Sequence, residues 1–304
     1  MTMGAGPAPV VEATTEGGEV RDSGSVARLV ARTFLENRLA LVGLVSVVLV
    51  TLFCFVGPLF YKTDQVHSNL LAANLPPGGS YPIGTDQNGF DILGRLMAGG
   101  QSSIEVGLSV ALIATSFGVL WGAIAGFIGG AVDAVMMRIV DVVLAIPVVF
   151  LFIFLATVVQ PTLPLLILVL ALLSWLGPAR LVRGETLSLR TREYVQATRV
   201  MGGGSWRAVL RHIVPNTIGT IIVNATFQVA DAILVLATLQ FLGFGLPPPT
   251  ATWGGMLANG TNYLFDGYWW QVYPAGALIV LTVLAFNFIG DGLRDSLEVR
   301  LQRR

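Results

Sequence analysis

The chain has 304 residues with 18 basic and 18 acidic side chains, so its formal charge is zero. Hydrophobic residues make up 54%, charged residues only 12%, and the mean hydropathy is +0.74. A soluble domain carries roughly 25% charged residues and a nucleic-acid binder carries a basic excess. This composition excludes both and marks a membrane protein.

Residues 1–35 are poor in large apolar side chains and are expected to form a disordered cytoplasmic tail. The apolar run that begins at Leu39 is too long for a signal-peptide core. A membrane-crossing helix needs about 20 apolar residues. Residues 36–304 read as one all-α transmembrane domain with six such spans, at about 39–61, 104–132, 138–159, 164–184, 216–244 and 267–291. No charge separates Asp141 from Arg180, and "QPTLP" at 160–164 divides that run into spans three and four.

Of the 18 Lys and Arg residues, all but Lys62 and Arg95 fall on one side of this topology. The positive-inside rule makes that side the cytoplasm and places both termini there. "YLFDGYWWQVY" at 263–273 clusters aromatic rings before span six, as expected at the headgroup level of the opposite face. In span two, Gly118, Gly122 and Gly126 recur every four residues, a stripe suited to close helix packing.

The chain offers no catalytic centre. Its two histidines, His67 and His212, lie on opposite membrane sides, which argues against a metal or Ser-His site. The lone Cys54 sits in an apolar run and reads as packing. No G-x-x-x-x-G-K-[ST] loop follows a strand, so the chain cannot cradle ATP itself, and no cofactor is expected in it. Asp133 and Asp141 flank an inner turn beside Arg138 and are expected in ion pairs, while Glu105 and Asp291 are expected at span ends. Asp231 lies deep in span five, where a charge costs at least about 2.5 kcal/mol. It is expected to face a cavity or a partner, and lining of a translocation path is the functional reading.

The stretch at about 185–215 is polar and basic between two apolar spans. "RGETLSLRTREYVQATRVM" has helical composition, Gly202 to Gly204 break it, and Ser205 can cap a second helix, "WRAVLRHIV", that stops at Pro215. In that second helix Trp206, Val209, Leu210 and Ile213 form an apolar stripe. Such a hairpin suits either an anionic lipid surface or a groove on a cytoplasmic protein.

This stretch resembles the E-A-A coupling loop of ABC-importer permeases. Gln196, Ala197 and Thr198 stand at the E-A-A positions, and Gly202 and Pro215 keep the family spacing. Gln196 and Thr198 depart from the pattern, while "EYVQATR", with Glu193, is close to the form of the dipeptide and oligopeptide branch. "YPIGTDQNGFDILGRLMAG", "GFIGGAVDAVMMRIVDVVLAIP", "QFLGFGLPPPTATWGGML" and "NFIGDGLRDSLEVRL" resemble further segments of that branch's C-type subunit, in order. Where many relatives have a Glu before "FLGFG", this chain has apolar "VLATLQ".

The resemblance implies a type I importer permease that moves peptides across a bacterial cytoplasmic membrane and is not itself an enzyme. Its implied partners are a second permease subunit, two ATPase domains that bind ATP and Mg2+, and an extracytoplasmic solute-binding protein. Glu193, Gln196, Ala197, Thr198, Arg199, Gly202, Gly203, Arg207, Arg211 and Pro215 would form the ATPase-coupling surface. Another cargo, such as haem or a nickel chelate, suits the same architecture. A self-sufficient secondary transporter would need ionisable groups in several spans, and only Asp231 qualifies.

Overall fold

Two long helices in this chain start at side chains that satisfy their open N–H groups. Asn37 Oδ1 accepts from the amides of Leu39 (3.0 Å) and Ala40 (3.1 Å), starting one helix. Asp91 Oδ1 accepts from the Gly94 amide (2.9 Å) and starts the longest. The computed structural model describes residues 23–147, 150, 151, 154, 160–193 and 209–302, and its architecture is all-helical. In chain order the helices are α1 (Ser23–Glu36), α2 (Arg38–Phe55), α3 (Gly57–Phe60), α4 (Ile92–Ile128), α5 (Gly130–Leu144), α6 (Leu163–Ser174), α7 (Leu176–Leu189), α8 (Val214–Phe241), α9 (Trp253–Thr261) and α10 (Tyr273–Gln302).

Five stretches among the described residues are long and apolar enough to cross a membrane: Arg38–Phe60, Ile92–Ile128, Leu163–Leu189, Val214–Phe241 and Trp269–Leu297. The expected third span, 138–159, lies partly outside the described residues, and α5 supplies its beginning. The tail expected to be disordered through residue 35 is helical from Ser23 onward, and α1 packs against α10.

Span two also departs from expectation, because α4 begins at Ile92 rather than near residue 104. Its first turns are rich in Gly and Ser and look polar, yet Gly94, Gly99, Gly100 and Ser103 are buried. A Cβ on Gly99 would press on the Thr252–Trp253 backbone, and one on Gly100 on the Trp253 ring and on Cys54 Sγ. These small residues let α9 and α2 approach α4 closely. Consequently Glu105 sits well inside α4, exposed, and not at the start of that helix. With 37 residues, α4 is about 55 Å long at 1.5 Å per residue, longer than the roughly 30 Å hydrocarbon layer.

The core gathers around α4, which packs against α2, α6, α7 and α8, while α10 packs on α2 and α8. Val50, Cys54, Ile104, Ala111, Ile233 and Trp253 belong to one buried apolar cluster. Cys54 is fully buried with a free thiol. Apolar side chains also cover outward surfaces, among them Val42, Val45 and Leu49 on α2 and Leu112 on α4. Lipid or another apolar helix is the solvent such faces require.

Two prolines interrupt the helical ladder, and both gaps are closed from a neighbouring helix. A proline has no N–H for the carbonyl four residues earlier, and an unpaired carbonyl in lipid is costly. On α7, Pro178 cannot serve Ser174, and Gln228 Nε2 of α8 donates to that carbonyl at 3.0 Å. On α3, Pro58 cannot serve Cys54, and Gln101 Nε2 of α4 donates to it at 2.7 Å.

Candidate coupling face

The described flanks of the 194–208 stretch are fastened to one end of α4. The glycine stripe does the fastening on the first flank. A Cβ on Gly118 would meet the Trp175 carbonyl and Pro178, one on Gly122 the backbone of Ala179 and Arg183, and one on Gly126 Thr186 and the Arg183 carbonyl. The stripe is thus a backbone-to-backbone contact between α4 and α7, as its spacing predicts.

Beyond the stripe, charge takes over from packing. Gly129, at φ 71, ends α4 in the left-handed region and turns the chain into α5. This turn brings Asp133 to Arg183, whose Nε and Nη2 donate to the two carboxylate oxygens at 2.5 and 2.7 Å. The bidentate fork holds the Asp133 carboxyl below the ordinary carboxylate range; burial opposes this and the charges of Arg183 and Arg190 add to it. Arg180 Nη2 donates to Asp141 at 2.5 Å. Both acids are therefore in ion pairs as expected, with partners on α7 and not with Arg138. Arg190 Nη1 donates to the Gly126 carbonyl at 3.0 Å, so the last turn of α7 is pinned to the last turn of α4.

The second flank is held by apolar contact. Val209–Ile213 forms a single π-helical turn before α8. Val209 and Ile213 are buried with Val119, Ala123 and Phe127 of α4 and Val182 of α7. They are two members of the expected stripe; Leu210 is exposed, and Trp206 lies outside the described residues. Both ends of the loop therefore bear on the same few turns of α4.

Of the expected coupling residues, Glu193, Arg211 and Pro215 are described, and all three are exposed. Pro215 occupies the first turn of α8, where its missing N–H costs nothing. Gln196, Ala197, Thr198, Arg199, Gly202, Gly203 and Arg207 lie outside the described residues, as do Gly204 and Ser205. Asp231 is on α8 at an outward-facing, exposed position, on a face shared with Leu234, Thr238 and Phe241. That is compatible with the expected partner or path and brings it to neither the loop nor a second acid.

At the opposite end of α8 the chain builds a polar cavity of about 340 Å³, lined by Gln240, Gln271, Asp86, Arg95, Asn88 and Asn259 among others. Arg95 Nε lies 3.7 Å from Asp86 Oδ2, and Arg95 Nη1 donates to the Pro249 carbonyl at 2.7 Å. Burial pushes the Asp86 carboxyl up, against the amides of Phe90 and Asn88 and the charge of Arg95. Trp270, read as a headgroup-level ring, is instead buried and donates Nε1 to the Thr85 carbonyl at 3.0 Å; Phe265, Trp269 and Tyr273 remain exposed. Sequence reasoning missed this cavity, because its walls come from two distant segments, Asp86 to Arg95 and Gln240 to Gln271.

Five stretches long and apolar enough to cross a membrane, outward apolar faces and a basic stretch whose described flanks are fastened to one end of α4 define a polytopic helical membrane protein. The chain belongs to the family described as "binding-protein-dependent transport system inner membrane component", whose model matches residues 118–303. Residues 25–77 match the N-terminal transmembrane domain of oligopeptide transport permease C. The chain is 40% identical over 270 residues to the oligopeptide transport system permease protein OppC of Bacillus subtilis, covering 89% of this chain and 88% of that protein. It is 37% identical over 272 residues to that organism's dipeptide transport system permease protein DppC, covering 90% and 85%. It is 40% identical over 254 residues to a probable D,D-dipeptide transport system permease protein of Escherichia coli, covering 84% and 85%. The family is one of non-catalytic, multi-pass inner-membrane permease components.

Proposed function

We propose that this chain is the peptide-moving permease subunit of an ATP-driven importer. It works beside a second permease subunit, under an extracytoplasmic solute-binding protein and above two ATPase domains that bind ATP and Mg2+. The observation that carries the reading is the fastening of both loop flanks to one end of α4, by Arg190 on Gly126 and by Val209 and Ile213 on Phe127. A chain without a phosphate loop draws its energy through contact, and a loop held at both ends moves the helices it is fastened to. Glu193, Gln196, Ala197, Thr198, Arg199, Gly202, Gly203, Arg207, Arg211 and Pro215 form the contact surface in this proposal.

The remaining topology follows from the same reading. Six spans leave both termini on the cytoplasmic side, with α5 opening span three and residues 1–35 preceding the membrane domain. The charge distribution supports this orientation. Peptide cargo is supported by the relatives, whose names specify oligopeptides, dipeptides and D,D-dipeptides. Asp231 is proposed to line the path, since an exposed carboxylate at that depth requires a non-lipid neighbour.

Co-purification and reconstitution test the proposal. The chain should copurify with an ATPase and a second permease, and peptide uptake into liposomes should need ATP and a binding protein. Glu193→Lys and Gly202→Trp should insert normally and leave ATP hydrolysis uncoupled from uptake. Uptake by this chain alone, or normal uptake in both variants, would refute the coupling role.

A further inference from the structure

The polar cavity at the end of α8 remote from the coupling loop holds two unmet hydrogen-bonding atoms. Gln240 and Gln271 both line it, and each residue is only 2% exposed. Gln240 Nε2 and Gln271 Oε1 are buried without a partner. Their orientations are set by their other ends. Gln240 Oε1 accepts from the Gly255 amide at 3.1 Å, which leaves Nε2 as the open donor. Gln271 Nε2 donates to Asn74 Oδ1 at 2.7 Å and to the Thr85 carbonyl at 3.2 Å, which leaves Oε1 as the open acceptor. Unmet buried amide atoms are rare and cost about 1–3 kcal/mol each.

We infer that this cavity is a peptide-group binding site, in which Gln240 donates to a ligand carbonyl and Gln271 accepts from a ligand N–H. One donor and one acceptor are the complement of a single amide unit. The charged wall does not select an ion, because Arg95 is already engaged by Asp86 and the Pro249 carbonyl. Neutral amides supply most of the remaining polarity, from Gln87, Asn88 and Asn259. The volume falls at the small end of ligand sites, which run from about 300 to 1,000 Å³. A short peptide of two or three residues is the occupant of that size and chemistry.

Access needs a small motion, and the structure provides for one. Both open atoms lie behind the cavity surface. The terminal amide torsion of Gln is broad, and the Gly255 amide has a second acceptor, Thr252 Oγ1 at 3.2 Å, when Gln240 turns. The inference deepens the proposed function: it gives cargo a resting place on the permease, at the end that cargo reaches first under that reading.

The test is saturation-transfer NMR with trialanine on the full chain in lipid nanodiscs, with neither ATP nor a binding protein present. Because the readout is binding alone, its failure is distinguishable from failure of ATP-driven uptake. Trialanine should bind, and Gln240→Met should weaken it at least tenfold. That variant removes the donor at nearly unchanged size, and the Gly255 amide keeps Thr252 Oγ1 as its acceptor at 3.2 Å. Gln271→Leu should weaken binding similarly, and trialanine methylated at its amide nitrogens should bind at least tenfold less well than the parent. No transfer to trialanine, or equal transfer in wild type and Gln240→Met, would overturn the site.

Discussion

Gln228 on α8 completes the hydrogen bonding that Pro178 breaks on α7: its Nε2 donates to the Ser174 carbonyl at 3.0 Å. Fifty-four residues separate donor from acceptor, so the bond ties two spans together where one helix would otherwise expose backbone to lipid. Gln228→Leu should lower stability by about 1–3 kcal/mol, the cost of an unmet buried carbonyl. Pro178→Ala restores an N–H four residues after Ser174, so the same change should cost measurably less in that background. A double-mutant cycle on thermal unfolding in detergent checks this; equal losses in both backgrounds would remove the pairing.

The glycines of α4 and α7 have different jobs, and substitution separates them. A Cβ at Gly122 would press on the Ala179 carbonyl, whereas one at Gly184 meets nothing within 4 Å. Gly122→Leu should destabilise by about 3 kcal/mol through overpacking. Gly184→Ala, in a helix interior, should stabilise by about 0.5–1 kcal/mol. The comparison is made by thermal unfolding of the purified chain, and losses of similar size at both sites would contradict the packing.

The Asp133–Arg183 pair sets an acid limit. The folded carboxyl titrates below its ordinary value of 3.8, so ionised Asp133 favours the folded state. That contribution is complete above about pH 4 and disappears as pH falls through the lowered folded value. Thermal midpoints measured from pH 7 to pH 3 should fall most steeply below pH 4. Asp133→Asn should start lower at pH 7 and fall less; an unchanged acid slope would show that another group is responsible.

Cys54 is a built-in reporter of packing. It is fully buried, and a Cβ at Gly100 would collide with its sulfur. A maleimide should leave the folded chain unlabelled and add one equivalent after denaturation in SDS. Gly100→Val should open the α2–α4 contact and speed labelling at least tenfold. Rapid labelling of the unmodified folded chain would contradict the burial.

Much of this architecture was legible in the apolar runs, because lipid imposes one rule on every residue of a crossing helix. Leu39, the start of the first run, falls next to the structural start at Arg38, and the breaks at 160–164 and Pro215 fall next to helix ends. The start of α4 was hidden because Gly94, Gly99, Gly100 and Ser103 look like a loop in isolation. Their tertiary neighbours reveal them as an interface: Thr63 and Gln65 at Gly94, the Thr252–Trp253 backbone at Gly99, and the Trp253 ring and Cys54 thiol at Gly100. The glycine stripe announced close packing by its spacing, but its partner helix could not be read. The roles of Gln101, Gln228, Gln240 and Gln271 were silent for a related reason. A glutamine in an apolar run states that a hydrogen bond exists, and its partner is fixed by tertiary structure alone.

The bond from Gln228 to Ser174 also bears on how the chain is made. Leu163–Leu189 leaves the ribosome before Val214–Phe241, and during that interval its Ser174 carbonyl has no donor of its own. A helix carrying such a gap is ill-suited to release into lipid by itself. Leu163–Leu189 and Val214–Phe241 are therefore expected to be held at the insertion machinery and released as a pair. The stretch that joins them would in that case emerge while both of its anchoring helices are still being placed.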